Sequence, residues 1–184
     1  MTGLDGSITR AEDQQVAKKK QRQQPSATPA TLAATRAGVE FTTHSYAHDP
    51  NAPSYGTEAA EALGISPEKV FKTLVAQVDG TLTVGIVPVS ASLDLKALAS
   101  AAGGKRAAMA DPAAVERTTG YVLGGVAPLG QRKQLPTVLD ASALDHDTVC
   151  VSAGRRGLEI ELSPADLAAL TGAATARIAR TSGT

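Results

Sequence analysis

The feature that most constrains the fold is a pair of apolar, β-rich runs in residues 70–89, VFKTLVAQVDGTLTVGIVPV. Both runs are rich in Val, Leu, Ile and Thr, and β-branched residues in particular favour extended chain. Asp79-Gly80 separates the two runs, and an Asp-Gly pair is a strong signal for the tight turn of a β-hairpin. The pattern therefore predicts two long antiparallel strands at the centre of a sheet.

Short helices and further strands alternate along the rest of the chain. The first predicted helix shows typical boundary residues, with Thr28 before Pro29 at its start and Gly38 at its end. A second hairpin is predicted at the GRRG sequence of residues 154–157. Hairpins mixed with short helices favour one compact α+β domain with a mixed, barrel-like β-sheet rather than a doubly wound one. Because aromatic residues make up only 3%, its core must consist of Ala, Val, Leu and Ile.

Residues 1–27 differ from the rest because they are polar and contain few large apolar side chains. Such a segment cannot bury enough apolar surface to offset its ordering entropy, so we expect a disordered extension followed by a folded domain over residues 28–184. No run approaches the roughly 20 apolar residues of a membrane span. The first residues also lack the apolar core of a secretory signal. We therefore expect a cytoplasmic protein with no membrane partner.

Several common functional patterns are incomplete in this chain. With 18 basic and 18 acidic residues, uniform coating of nucleic acid is not expected. Glycines at residues 125–130 resemble a phosphate loop, but Gln131 stands where the lysine is needed. His44 and His48 could begin a zinc site, yet no Cys or third His lies near them in sequence, and Cys150 sits in an apolar run typical of core. We expect no metal and no cofactor, and a His44–His48 metal hydrolase is the weakest alternative.

Two features point to a ligand. Lys72 lies between Val70 and Leu74 on one face of the predicted strand, so its ammonium must reach the sheet rim, pair with an acid or face a cavity. The glycine-rich loop of residues 120–130 is the second feature, since adjacent glycines let backbone N–H groups approach a ligand and polarise a carbonyl. Taken alone, each also has an ordinary interpretation: a lysine stem on the sheet rim and a turn between core elements.

Six segments occur together in one order: HSYAHDP, YGTEAAEALG, VFKTLV, LDLKALA, MADPAAVERTTGYVLGGVAPLGQRKQLPTVLD and VSAGRRGLEIEL. In this combination the chain resembles the YbaK/EbsC family, and within it the bacterial Cys-tRNA(Pro) deacylases, over about residues 28–180. The resemblance implies a compact fold with a mixed, barrel-like sheet, related to the prolyl-tRNA synthetase editing domain. It also implies hydrolysis of the ester between a wrong amino acid and its tRNA.

The resemblance assigns the site residues. The essential lysine of the family falls on Lys72, and its paired glycines, expected to orient or polarise the ester carbonyl, fall on Gly124 and Gly125. The expected substrate-binding residues are Tyr46, Tyr55, Thr73, Ser152 and Glu159. Two positions depart from the family pattern: Glu159 stands where Asp is commoner, and Ala127 stands where a serine is usual.

The resemblance further implies a substrate-assisted reaction, in which the thiol of the bound cysteine attacks its own ester carbonyl. The expected partners are the acceptor end of an aminoacyl-tRNA and prolyl-tRNA synthetase in a ternary complex. Two alternatives stay open: a deacylase of another specificity, such as one for Ala-tRNA(Pro), and a non-catalytic tRNA- or protein-binding module. Seven basic residues either surround one cleft that grips RNA or are scattered, solvated charges. They are Lys96, Lys105, Arg106, Arg132, Lys133, Arg155 and Arg156.

Overall fold

The computed structural model describes residues 27–181, so the predicted extension lies outside the described residues apart from Ala27. Five α-helices and ten strands alternate along this part of the chain. The helices are α1 (Pro29–Ala37), α2 (Tyr55–Leu63), α3 (Leu95–Ala101), α4 (Pro112–Thr119) and α5 (Pro164–Thr171). The strands are β1 (Phe41–Ser45), β2 (Phe71–Val78), β3 (Thr81–Pro88), β4 (Ser92–Leu93), β5 (Ala107–Met109), β6 (Thr137–Asp140), β7 (Val149–Arg155), β8 (Leu158–Leu162), β9 (Ala174–Ala176) and β10 (Ala179–Arg180).

The predicted central hairpin is confirmed. Strands β2 and β3 pair antiparallel over their full length, from Phe71 opposite Pro88 to Val78 opposite Thr81. Asp79 and Gly80 both have positive φ, at 46° and 86°, as the mirror-image turn of a two-residue hairpin requires.

The hairpin forms the centre of a five-stranded mixed sheet in the order β5-β2-β3-β6-β9, where β6 and β9 run parallel to their neighbours. A second, antiparallel sheet has the order β1-β8-β7, and a third consists of β10 and β4. A parallel bridge between Val70 and Cys150 joins the first two sheets. The mixed α+β class is therefore confirmed, with the strands divided among three sheets.

The helix boundaries follow from local chemistry. The Thr28 side chain accepts a hydrogen bond from the Thr31 N–H at the start of α1, and Gly38 ends the helix in the left-handed conformation with φ at 70°. The sequence did not predict β4, the 3-10 helix Ala141–Asp145, or the separation of the last strand into β9 and β10. Strands of two or three residues are too short to show a recognisable hydrophobic period.

Strands β7 and β8 alternate between two environments. Their core-facing side chains are almost fully buried with Phe71 in an aliphatic cluster: Val149, Val151, Ala153, Leu158, Ile160 and Leu162. The side chains between them lie on the opposite face of the sheet: Cys150, Ser152, Glu159 and Glu161. Cys150 is fully buried, and burial raises its pKa to about 12, in agreement with its predicted place in the core. No helix in residues 27–181 is long and apolar enough to cross a bilayer.

Candidate active site

A cavity of about 490 Å³ opens beside β2, between β5, the glycine-rich loop and the polar face of the β1-β8-β7 sheet. Seven of the eight residues predicted from the sequence line it together: Tyr46, Tyr55, Lys72, Thr73, Gly124, Ser152 and Glu159. Gly125 does not line it. The fold therefore gathers residues from the segment after β1, the start of α2, both main sheets and the loop that follows α4.

Lys72 provides a positive charge in this cavity. Burial lowers the pKa of its ammonium, and no carboxylate within residues 27–181 lies within the 4.0 Å of an ion pair. The sequence left three environments open for this ammonium: the sheet rim, an ion pair with an acid, or a cavity. The structure places Lys72 in the wall of a cavity, where it has no acidic partner within residues 27–181. Such an ammonium can bind a phosphate or ribose oxygen of a ligand as a point charge.

Glu159 lies on β8, opposite Ser152 on β7, and only 8% of its surface is exposed to solvent. Burial raises the pKa of its carboxyl to about 8, and no interaction within residues 27–181 offsets that rise. Burial therefore favours the protonated form of this carboxyl near neutral pH, and a protonated carboxyl can donate a hydrogen bond. The phenol of Tyr46 lies nearby, and burial, with the charges of Glu159 and Glu58, raises its pKa to about 12.

The two glycines of the loop have different roles. The N–H of Gly125 donates to the carbonyl of Val122 at 2.9 Å, closing a turn in which Gly124 has a φ of 82°. A Cβ at Gly125 would lie 2.9 Å from the Cα of Arg155, so this glycine allows close backbone packing against the β7–β8 hairpin. The Gly125 amide thus points into its own turn, and the role predicted for the paired glycines at the ester stays a prediction. Gly124 does line the cavity, where a Cβ would lie 2.8 Å from the Tyr55 ring.

The rim beside Gly124 is a stack of side chains. The Arg156 guanidinium lies 4.9 Å from the centre of the Tyr55 ring, and its Nε and NH2 groups donate to the Leu123 carbonyl at 3.0 and 2.7 Å. The His48 ring packs against the Tyr55 ring, with 5.6 Å between the two ring centres. The Nδ1 of His48 forms a hydrogen bond with Glu58 Oε2 at 2.9 Å. Among the seven basic residues considered above, none lines the cavity, and Arg156 contacts its rim.

Sequence reasoning missed the apolar part of the cavity wall. Met109, Val115, Val126 and Leu123 line the cavity, but apolar residues in short helices, strands and loops are indistinguishable from core in a single sequence. The Ala127 departure proves to be a core substitution, because this residue is fully buried in the aliphatic cluster and does not line the cavity.

The two histidines of the metal alternative belong to separate pairs. His44 Nε2 donates to Glu161 Oε2 at 2.6 Å, whereas His48 contacts Glu58. Within residues 27–181, the only group of three possible metal ligands is His44, Cys150 and Glu161, whose ligand atoms lie within 4.8 Å of one another. Thr148 donates to the second oxygen of Glu161 at 2.6 Å, so this group forms a hydrogen-bonded network of its own. The geometry does not support a site that combines His44 with His48.

The arrangement matches a known family. The model of the aminoacyl-tRNA editing domain matches residues 49–170, which cover most of the described chain. The chain belongs to the aminoacyl-tRNA editing domain family. The predicted family and fold are thereby confirmed, and the protein is an enzyme of aminoacyl-tRNA editing.

Three relatives of this editing domain place it more closely. A protein of Enterococcus faecalis, EbsC, whose name marks it as a proposed Cys-tRNA(Pro)/Cys-tRNA(Cys) deacylase, is 43% identical over 120 residues, 65% of this chain and 73% of that protein. The Ser/Thr-tRNA deacylase ProXp-y of Escherichia coli is 31% identical over 58% of this chain and 67% of its own length. A crystal structure described as a proposed trans-editing enzyme for prolyl tRNA synthetase has a TM-score of 0.69 at 26% identity, over 84% of this chain and 99% of that one.

Proposed function

We propose that this editing domain deacylates Cys-tRNA(Pro), and that the reacting ester lies in the cavity that Lys72 and Glu159 line. The observation that carries the proposal is that one cavity is lined by both the Lys72 ammonium and the Glu159 carboxyl, neither of which is paired within residues 27–181. The domain that contains this cavity is 43% identical to EbsC over 120 residues. Buried polar groups without partners are costly, so a cavity that retains them fits a polar ligand that supplies their partners.

The cavity residues have separate proposed roles. Lys72 binds a ribose or phosphate oxygen of the terminal adenosine, and the neutral carboxyl of Glu159 donates to a substrate oxygen. Gly124, Tyr55 and Tyr46 shape the entrance. Since no ion pair joins Lys72 to Glu159, each group is available to the substrate.

The proposed reaction uses the substrate's own thiol, because the part of the cavity wall formed by residues 27–181 contains no cysteine and no Ser–His pair. The sulfur forms a bond to the ester carbonyl carbon, and the bond from that carbon to the ribose oxygen breaks. The proton lost by the thiol is balanced by the one gained by the ribose oxygen, and the thiolactone is hydrolysed by water. Holding the two groups together lowers the barrier by several kcal/mol, and by roughly 7–11 kcal/mol in the best intramolecular cases.

We also propose that tRNA selection depends on prolyl-tRNA synthetase in a ternary complex. Lys72 is the only basic residue of the cavity wall within residues 27–181, and the whole chain carries 18 basic and 18 acidic residues. A surface with so little excess positive charge holds RNA weakly by itself. The similarity to a structure described as a trans-editing enzyme for that synthetase supports the same partner.

One other specificity has support. The relative named Ser/Thr-tRNA deacylase makes hydrolysis of Ser-tRNA the second candidate. Under the thiol mechanism, Ser-charged and Ala-charged tRNA should react much more slowly than Cys-charged tRNA. Equal rates on Cys- and Ser-tRNA would instead favour an activated water as the nucleophile.

The deciding experiment is deacylation of Cys-, Ser- and Ala-charged tRNA(Pro) by the full chain and by its Lys72→Ala variant. We expect Lys72→Ala to lose roughly 100- to 1,000-fold in kcat/KM, the usual cost of removing a group that stabilises developing charge. Lys69→Ala is the matched control, because Lys69 is three residues away and does not line the cavity. Near-normal turnover by Lys72→Ala would remove this lysine from the proposal.

We further propose that residues 28–184 form the catalytic unit. Thr28 caps α1, and its hydroxyl donates to the Ala153 carbonyl on β7 at 2.6 Å, so the packed domain already includes this residue. Removal of residues 1–27 should therefore leave kcat/KM for Cys-tRNA(Pro) unchanged. A large loss of activity in a chain that still melts cooperatively would place a functional element in that segment.

A further inference from the structure

The central strand β2 has one edge that is only partly paired. Strand β3 covers the whole of Phe71–Val78 on one side. On the other side, β5 pairs with residues 76–78, and the bridge to β7 ends at Val70. No strand of residues 27–181 pairs with residues 71–74 on that side. The cavity lies against this gap, because it is lined by every residue from 70 to 75.

The hydrogen bonds on each side of the gap show which residues point into it. Ala110 N–H donates to the Val75 carbonyl at 3.1 Å on the open edge, whereas Val89 N–H donates to the Val70 carbonyl at 2.8 Å on the β3 edge. Backbone groups of alternate residues in a strand point to the same edge. Thr73, two residues before Val75, therefore directs its N–H and its C=O into the gap.

The residue opposite Phe71 gives an independent check. Phe71 has the same parity as Thr73, so it should lie at a position where β3 offers no hydrogen bond. Its partner on β3 is Pro88, which has no N–H to donate. The register of the hairpin thus agrees with the orientation of Thr73.

Thr73 also has an unmatched side chain. Its Oγ1 is buried and has no hydrogen-bond partner within the described chain, and the residue lines the cavity. One residue therefore presents a backbone donor, a backbone acceptor and a buried hydroxyl that have no partner within residues 27–181. Because buried polar groups are normally paired, the unmatched hydroxyl beside two backbone groups that face a cavity indicates a bound group with the complementary pattern.

An aminoacyl group has that pattern, because it is chemically a single residue with an amino group and a carbonyl on the same α-carbon. Two residues that face each other in a hydrogen-bonded antiparallel pair exchange both N–H···O bonds. We infer that the aminoacyl group of the substrate pairs with Thr73 as a one-residue strand: its ammonium donates to the Thr73 carbonyl, and its ester carbonyl accepts from the Thr73 N–H. This inference rests on the proposed function for the identity of the ligand, and it assigns to β2 the donor role expected of Gly125.

The pairing has a consequence for specificity. Side chains of directly opposed residues lie on the same face of a sheet, with neighbouring Cβ atoms. The thiol of a cysteinyl group would then lie beside the Thr73 hydroxyl. The backbone of Thr73 should thus form hydrogen bonds with every aminoacyl substrate, whereas its side chain should influence the discrimination between Cys and Ser.

The test replaces single backbone N–H groups by an ester oxygen, using the α-hydroxy analogue of threonine incorporated into the full chain at position 73. The matched control is the same analogue at Thr83, whose N–H faces β2 within the ladder, away from the cavity. We expect the change at position 73 to lower kcat/KM for Cys-tRNA(Pro) by roughly 10- to 100-fold with little loss of stability. The change at position 83 should lower stability and leave the kcat/KM of the folded enzyme unchanged.

Binding provides the readout that does not depend on turnover. The probes are cysteine, serine and alanine, each joined by an amide to 3′-amino-3′-deoxyadenosine, titrated against the unmodified protein and both ester variants. At least a tenfold weaker affinity only at position 73 supports the inference, even if the protein fails to hydrolyse Cys-tRNA(Pro) and the proposed function is wrong. Equal affinity and equal kcat/KM in the two variants, or no binding of any probe by the unmodified protein, would overturn it.

A side-chain variant sharpens the result. Thr73→Val retains the backbone N–H and the shape of the side chain but removes the hydroxyl. We expect it to change the ratio of Cys to Ser turnover several-fold, with KM for Cys-tRNA(Pro) nearly unchanged. An unchanged ratio would show that the substrate side chain points away from Thr73 and would contradict the proposed pairing.

Discussion

Glu159 and Glu161 lie two residues apart on β8 and on the same face of the sheet, yet their surroundings are opposite. Glu161 accepts hydrogen bonds from Thr148 and His44, each at 2.6 Å, and these bonds, Thr148 first, hold its pKa below the usual range. Glu159 lines the cavity without such partners, and burial raises its pKa to about 8. Glu161 therefore belongs to a network whose members form hydrogen bonds with one another, whereas Glu159 has no hydrogen-bond partner within residues 27–181.

The difference between the two glutamates distinguishes polar groups that stabilise the fold from polar groups that are available to a ligand. A buried network with all its partners present stabilises one arrangement of the sheet. A buried carboxyl without partners lowers stability, and it is retained at positions where a ligand completes its interactions. Lys72, Thr73 and Glu159 each present a polar group without a partner within residues 27–181, and all three line one cavity, whereas the His44–Glu161 pair lies outside it.

The largest expected effect is the pH dependence of Glu159→Gln. The folded state holds a proton that the unfolded chain releases, so the stability of the wild type relative to the variant should fall as the pH rises from about 4.5 to about 8. At about 1.4 kcal/mol per pKa unit, this pH-dependent change in the free energy of unfolding is at most roughly 5 kcal/mol. Denaturant unfolding of both proteins at pH 5 and pH 9 measures it. Parallel stability curves would show that Glu159 has a partner in solution, as Glu161 does.

Glu161→Gln should show the opposite behaviour. At pH 7 it should lower the free energy of unfolding by about 1–3 kcal/mol, because two hydrogen bonds to a charged group are weakened. The gap to the wild type should close as the pH falls below 4.5, where the carboxylate of the folded protein takes up its proton. Deacylation by the folded variant should stay at the wild-type rate. A loss of activity comparable to that of Lys72→Ala would assign the His44–Glu161 pair to the site.

Lys72→Met tests whether the unpaired ammonium destabilises the domain. We expect the free energy of unfolding to rise slightly while deacylation is lost, because a partly desolvated charge is replaced by an apolar side chain of similar length. Thermal unfolding of the variant beside Lys69→Met is the measurement. A lower stability in Lys72→Met alone would mean that this ammonium has a stabilising partner.

The smallest effect is expected for Thr148→Val. Removal of its hydroxyl deletes the bond that contributes most to the lowered pKa of Glu161, at a cost of about 0.5–1.5 kcal/mol near neutral pH. The difference from the wild type should shrink only below pH 4.5, where Glu161 of the folded protein takes up its proton, and denaturant unfolding at pH 7 and at about pH 2 measures it. A difference of the same size at both pH values would attribute the cost to packing rather than to the hydrogen bond.

The sequence by itself determined the local elements, because the physics that forms them is local. Asp79-Gly80 set the central hairpin, Thr28 and Gly38 set the ends of the first helix, and the alternation in LEIEL put Glu159 and Glu161 on one face. The family resemblance, drawn from the same residues, named seven side chains and backbone positions that do line the cavity.

Tertiary structure alone decided how the polar groups are paired. The partners of Glu161 come from β1 and from the residue before β7, and the amide of Gly125 is used within its own turn. The open edge at Thr73 exists because β5 and β7 meet β2 at different points along its length. Hydrogen bonds between residues distant in sequence produce no recognisable local sequence pattern. Only the assembled sheets therefore show which polar groups lack a protein partner and are available to the substrate.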